Sequence, residues 1–263
     1  MNYLKLNNYK DLHSFNFGLG KPYLNDHFNI FSSNIKSKSF DYLVFVDSKG
    51  FNSVSPEKSW IINLINEFSK SKKSYLVITR VKELTTFFSL INFLTHNSIN
   101  YKNLITNLGF VDLTPKKLVF IDDIILQNPF IKTPPQKKFL SKYIDESNKS
   151  INLYNIIIDN KLSDLISDFL SIRFDKIYLL ETFEFDNSIN VKRKRPNCFF
   201  QCLIKTNKLL SQLCVNNKNF DIIKFKVSDI KVNSSEISFD AVHFTDLGHE
   251  IVYNKVIKSL NLK

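Results

Sequence analysis

From about residue 40 onward the chain alternates short apolar runs with segments whose apolar residues recur at helical spacing. The runs Asp41–Asp47 (DYLVFVD), Ser74–Arg80 (SYLVITR), Tyr101–Gly109 (YKNLITNLG), Ile151–Ile158 (INLYNIII), Lys176–Phe183 (KIYLLETF) and Phe220–Lys226 (FDIIKFK) predict strands. The intervening segments predict helices over Ser59–Lys70, Lys82–Asn97, Lys161–Phe174 and Cys198–Cys214, with a closing helix from about Thr245 to Leu260. Ser55-Pro56-Glu57 is a helix-entry signal before the first of them. Repeated strand–helix alternation implies an α/β fold whose mostly parallel sheet is covered on both faces. In such sheets ligands bind beyond the carboxyl ends of the strands, so functional residues should follow strands directly.

Two stretches break the rhythm. Residues 1–40 read as an N-terminal elaboration, and 114–150 as an insertion or lid, because TPPQKKF and DESNKS within it are loop-like. No internal repeat or linker divides the chain, which predicts one domain over residues 1–263.

Composition changes this picture little. With 263 residues, 43% hydrophobic and 14% aromatic, the chain can bury a substantial core, and only 5 Gly and 7 Pro argue against an all-β fold rich in tight turns. The formal charge of +11 accompanies an abundance of Lys, Asn, Ile, Phe and Ser along the whole sequence. That pattern is compositional, so the charge favours solubility and assigns no nucleic-acid partner. Cys198, Cys202 and Cys214 are too few and too clustered for a disulfide framework and read as reduced thiols. No secretory signal and no apolar run of membrane-spanning length is visible, so a cytoplasmic protein without a membrane span is expected. No phosphate-binding loop is present, and Gly18 and Gly20 lack the third glycine and preceding strand of a dinucleotide fingerprint, so no cofactor is expected.

Two stretches can carry chemistry. Asp47 and Ser48, in VFVDSKGF, end the first strand of the sheet, where a serine can meet both substrate and a helix start. The second stretch, FDAVHFTDLGHE, places Asp240, His243, Asp246 and His249 at every third position. Asp240 can hold imidazole Nδ1 of His243 across a turn, leaving Nε2 as a base. Asp246 and His249 instead open the last helix, with Thr245 or Asp246 as its cap. A metal site is disfavoured because His243 and His249, six apart, do not share a helix face.

Taken together, VFVDSKGF near the start and FDAVHFTDLGHEIV near the end resemble the SGNH (GDSL) hydrolase superfamily. The resemblance implies a flavodoxin-like three-layer α/β/α sandwich and esterase or acyl-transfer chemistry without a cofactor. It carries Ser48 over as nucleophile, His243 as general base and Asp240 as its orienting partner. The superfamily's second and third blocks supply oxyanion donors; here ITNLGFVDLTP offers Asn107 and Gly109, and Asn160 follows a later strand. Val46 stands where the family has glycine; read as the third block, LGFVDL puts Val111 where the family has asparagine, whereas read as the second block, NLGF leaves the third to Asn160. Relatives of this layout suggest an acylated carbohydrate or surface-glycan precursor as substrate. The KRKRP run, with Arg193 and Arg195, reads either as a solvated loop or as a clamp for such an anionic substrate. The rival expectation is a non-catalytic binding protein that kept the fold.

Overall fold

The computed structural model describes residues 2–6, 28–34, 37–52, 55–80, 85–126, 137–144, 149–185, 198–215, 217–226 and 232–262. Its main sheet joins β1 (Asn2–Leu6), β2 (Phe28–Ser32), β3 (Ser39–Val46), β4 (Tyr75–Arg80), β5 (Asn100–Thr106), β8 (Lys176–Leu180) and β9 (Phe220–Ile223) in the order β1-β2-β4-β3-β5-β8-β9. The five strands from β3 onward run parallel, with Val44 facing Val77 on one side and Ile105 on the other. Counting only those five, the order is 2-1-3-4-5, the flavodoxin-like arrangement, whose switch point lies between β3 and β5.

The central strands are buried on both faces. Along β3, Leu43 and Phe45 join one core cluster while Tyr42, Val44 and Val46 join the other. Helix α1 (Trp60–Lys70) buries Trp60, Ile61, Leu64, Ile65 and Phe68 on the second face, where α8 (Asp246–Leu260) packs beside it. Helices α2 (Phe87–His96) and α5 (Asn160–Ser171) cover the first face with the later turns of α6 (Phe199–Cys214), whose Phe199, Cys202 and Leu203 join the second cluster. Three layers result, and the sheet is the middle one.

The irregular regions resolve into structure of their own. Strands β1 and β2 extend the sheet antiparallel beyond β4, so the described parts of residues 1–40 are a sheet edge. Within 114–150 the chain forms α4 (Leu118–Leu126) and β6 (Lys137–Ile144). Strand β7 (Ser150–Ile156), expected among the parallel strands, instead pairs antiparallel with β6 in a separate two-stranded hairpin. Its burial explains the difference: β7 keeps only Leu153 and Ile156 fully inside, whereas a parallel strand must be apolar on both faces. A further short helix, α3 (Phe110–Leu113), follows β5. The KRKRP run lies outside the described residues.

Candidate active site

Ser48 lies immediately beyond β3, at the switch point. Asp47 ends the strand and caps a single 3-10 turn over Ser48–Gly50, its Oδ1 accepting from Lys49 N–H at 2.9 Å. The Asp47 carbonyl accepts from Gly50 N–H at 3.0 Å. Asn107, just past β5, grips the same residue twice: Oδ1 accepts from Asp47 N–H and Nδ2 donates to Asp47 Oδ1, both at 2.9 Å. The carboxyl ends of two adjacent strands are thereby locked together beneath Ser48.

The facing half of the site comes from the other end of the chain. A short helix, α7 (Ser234–Ile237), leads into a loop pinched at its base: Phe239 N–H and Ser238 Oγ both donate to the His243 carbonyl, at 3.3 and 2.7 Å. Inside this pinch Asp240 Oδ1 accepts from the N–H groups of Val242 (3.0 Å) and His243 (2.7 Å). Ala241 adopts φ 63°, a left-handed conformation costing an alanine about 1–2 kcal/mol. The turn folds the His243 ring back onto the carboxylate, with Nδ1 2.8 Å from Asp240 Oδ2. His243 Nε2 then lies 3.2 Å from Ser48 Oγ. With the Nδ1 proton held by Asp240, Nε2 is the acceptor for the Ser48 hydroxyl. Burial alone would raise the Asp240 carboxyl, but hydrogen bonds and charge from His243 and the Val242 N–H hold it at about 2.

The remaining members of the three-residue beat support this pair. Asp246 accepts from Asn52 Nδ2 (2.6 Å) and Lys58 Nζ (2.5 Å), and these bonds lower its carboxyl. They tie the first turn of α8 to the loop after Ser48. Thr245 caps the helix by accepting from Gly248 N–H at 3.2 Å. His249 is fully buried, accepts from Trp60 N–H at 3.4 Å, and is pushed down by burial to about 4, so it is a neutral packing residue.

Of the expected oxyanion donors, Asn107 lies against Asp47, next to Ser48. Gly109, at φ 114°, gives its N–H to Asp112 Oδ2 at 3.1 Å. Asn107 gives one of its two amide N–H groups to Asp47. Asn160 is the exposed first residue of α5 and has no hydrogen bond to the Ser48 group. Arg193 and Arg195 lie outside the described residues. Asp112 instead accepts from Gly109 and from Phe87 N–H (3.0 Å), stitching the loop after β5 to the start of α2. Burial raises its carboxyl and lowers the buried Lys116 ammonium. Ser48 N–H makes no hydrogen bond among the described residues.

Two neighbours carry no sequence signal. Lys49, next to the serine, is buried with Nζ 3.0 Å from Asp47 Oδ2 and 5.1 Å from the Phe110 ring. Phe239 is 43% exposed and lies nearly parallel to the His243 ring, with centroids 5.9 Å apart. A lysine in a loop and a phenylalanine in a turn look ordinary until the tertiary contacts are known. No cluster of metal-ligating side chains occurs among the described residues, and none of their helices is long and apolar enough to cross a membrane.

The fold is similar to that of a solved acetylxylan esterase. A catalytic mutant of Axe2, an acetylxylan esterase from Geobacillus stearothermophilus, superposes with a TM-score of 0.51 at 10% identity, covering 86% of this chain and 96% of that one. The lipase Lip_vut3 from a goat rumen metagenome gives 0.45 at 12% identity, covering 83% and 96%. A protein of Parabacteroides merdae described as a GDSL-like lipase gives 0.47 at 12% identity, covering 87% and 99%. No protein-family model and no curated protein matches the sequence.

Proposed function

We propose that the protein is a serine ester hydrolase or O-acyl transferase in which Ser48 is the nucleophile, His243 the general base and Asp240 its orienting partner. One observation carries the reading: Ser48 Oγ, the His243 ring and the Asp240 carboxylate form a continuous chain of contacts at 3.2 and 2.8 Å, built from residues 195 positions apart. His243 Nε2 takes the Ser48 proton as Oγ attacks the ester carbonyl, and Asp240 stabilises the imidazolium that forms. The tetrahedral oxyanion meets the Ser48 N–H. His243 then returns the proton to the leaving alcohol, and water or an acceptor hydroxyl releases the acyl group by the reverse steps.

An acylated carbohydrate or surface-glycan precursor is the substrate we favour. Phe239 supports it, because an exposed aromatic face beside the base is a platform on which a sugar ring can stack. The acetylxylan esterase among the structural relatives acts on such a material, although at 10% identity it speaks for the fold alone.

Replacing Ser48 by Ala should abolish turnover of a small acetyl ester and labelling by a serine-reactive fluorophosphonate; undiminished activity sinks the assignment. The rival reading, a binding protein on a hydrolase fold, draws on one observation: the Gly109 N–H is committed internally to Asp112. A wild-type protein that fails to label would favour it.

A further inference from the structure

Lys49 is only 5% exposed, and lysine is almost never so deeply buried unless paired. Its partner is the equally buried Asp47, one residue before the proposed nucleophile. Nζ approaches Asp47 Oδ2 to 3.0 Å as an ion contact without directed hydrogen-bond geometry, and the Phe110 ring lies on its other side. The Lys49 main chain is fixed at both ends, since its N–H donates to Asp47 Oδ1 and its carbonyl accepts from Trp60 Nε1 at 3.1 Å.

The position of this pair matters because of the peptide between Asp47 and Ser48. A trans peptide points its C=O and N–H in opposite directions. The Asp47 carbonyl is turned inward to Gly50 N–H, so Ser48 N–H faces the other way. That N–H is a donor open to an oxyanion, and it hangs from a residue bearing a buried carboxylate. In a water-poor site an uncompensated negative charge so close would oppose the negative charge developing on the substrate.

Building on the hydrolase reading above, we propose that Lys49 is a positioning residue: its buried ammonium neutralises and fixes Asp47, so that the Ser48 N–H acts on the oxyanion without an opposing charge. Asn107 completes this arrangement by holding the Asp47 main chain and carboxylate from the neighbouring strand.

The test compares wild type, Lys49→Met, Asp47→Asn and the double variant. The readouts are the rate of fluorophosphonate labelling at Ser48, and kcat and KM on p-nitrophenyl acetate. Lys49→Met should lower kcat and labelling roughly 100-fold with little change in KM, the scale of losing one oxyanion interaction. Adding Asp47→Asn should recover about 10-fold or more of that loss, because the unpaired charge is gone. A purely structural role predicts that the urea midpoint falls and recovers in step with the rate, whereas the charge role predicts the rate loss in protein that stays folded. Wild-type rates in Lys49→Met, or a double variant no faster than the single, overturn the proposal. Should Lys49→Met not fold, the cost of removing Lys49 is read in the Asp47→Asn background, where it should be under about 3-fold; a loss above about 10-fold overturns the proposal. An unlabelled wild type overturns the hydrolase reading, and this inference with it; a labelled wild type beside an indifferent Lys49→Met overturns this inference alone.

Discussion

Asp240 keeps its charge against its own burial, and two functions meet in that carboxylate. One oxygen holds the backbone of the Asp240–His243 turn and the other holds the His243 ring. Its carboxyl sits at about 2 against an ordinary 3.8, so the stability it contributes is present above about pH 4 and is lost as pH falls through about 2. Asp240→Asn removes the charge while keeping the shape. Its kcat should fall by about three to four orders of magnitude at neutral pH, since an amide favours the wrong imidazole tautomer. Its urea midpoint should lie below that of the wild type at pH 5, and the gap should narrow as the pH approaches 2. A constant gap would show that the carboxylate charge is not what stabilises the turn. The sequence made this pair legible because a carboxylate three residues before a histidine needs only a local turn to reach it. Lys49 was not legible, because its burial depends on Phe110 arriving from outside its own segment.

At the level of elements, the start of α8 decides where His243 stands. Gly248 is required there by close approach: a Cβ would lie 2.1 Å from the Ile237 carbonyl oxygen and 2.9 Å from Phe244 Cβ, both rigid neighbours. Gly248→Ala must push α8 away from the pinched loop. It should cost about 1–3 kcal/mol in urea unfolding, as overpacking does, and should lower kcat by moving Nε2 from Ser48. Unchanged stability and rate would mean that the loop tolerates the shift. The helices and parallel strands were readable because each pairs a clear period with burial on the expected faces. The β6–β7 hairpin was not, since INLYNIII is apolar enough to pass for an inner strand. Only the Asn and Tyr positions that stay partly exposed mark it as a hairpin. Motif order likewise places Asn107 and Gly109 after β5 but cannot say which acceptor claims each N–H.

For the whole molecule, the site is a contact between the beginning and the end of the chain, so its integrity should report on global folding. Trp60 is the only tryptophan, and it sits at this junction fully buried. Its indole N–H donates to the Lys49 carbonyl behind Ser48, and its backbone N–H to His249 of α8. It packs within the core face shared by α1, α8 and the parallel strands. If residues from β3 to α8 fold as one cooperative unit, the red shift of Trp60 emission and the loss of Ser48 labelling should occur at the same urea concentration. Loss of labelling well before the fluorescence transition would instead mean that the Asp240–His243 loop opens while the core stays folded. Asp246 makes the cooperative outcome the expected one. Its bonds to Asn52 and Lys58 join the first turn of α8 to the segment that carries the nucleophile, so the loop cannot leave without breaking contacts to α1's own entry.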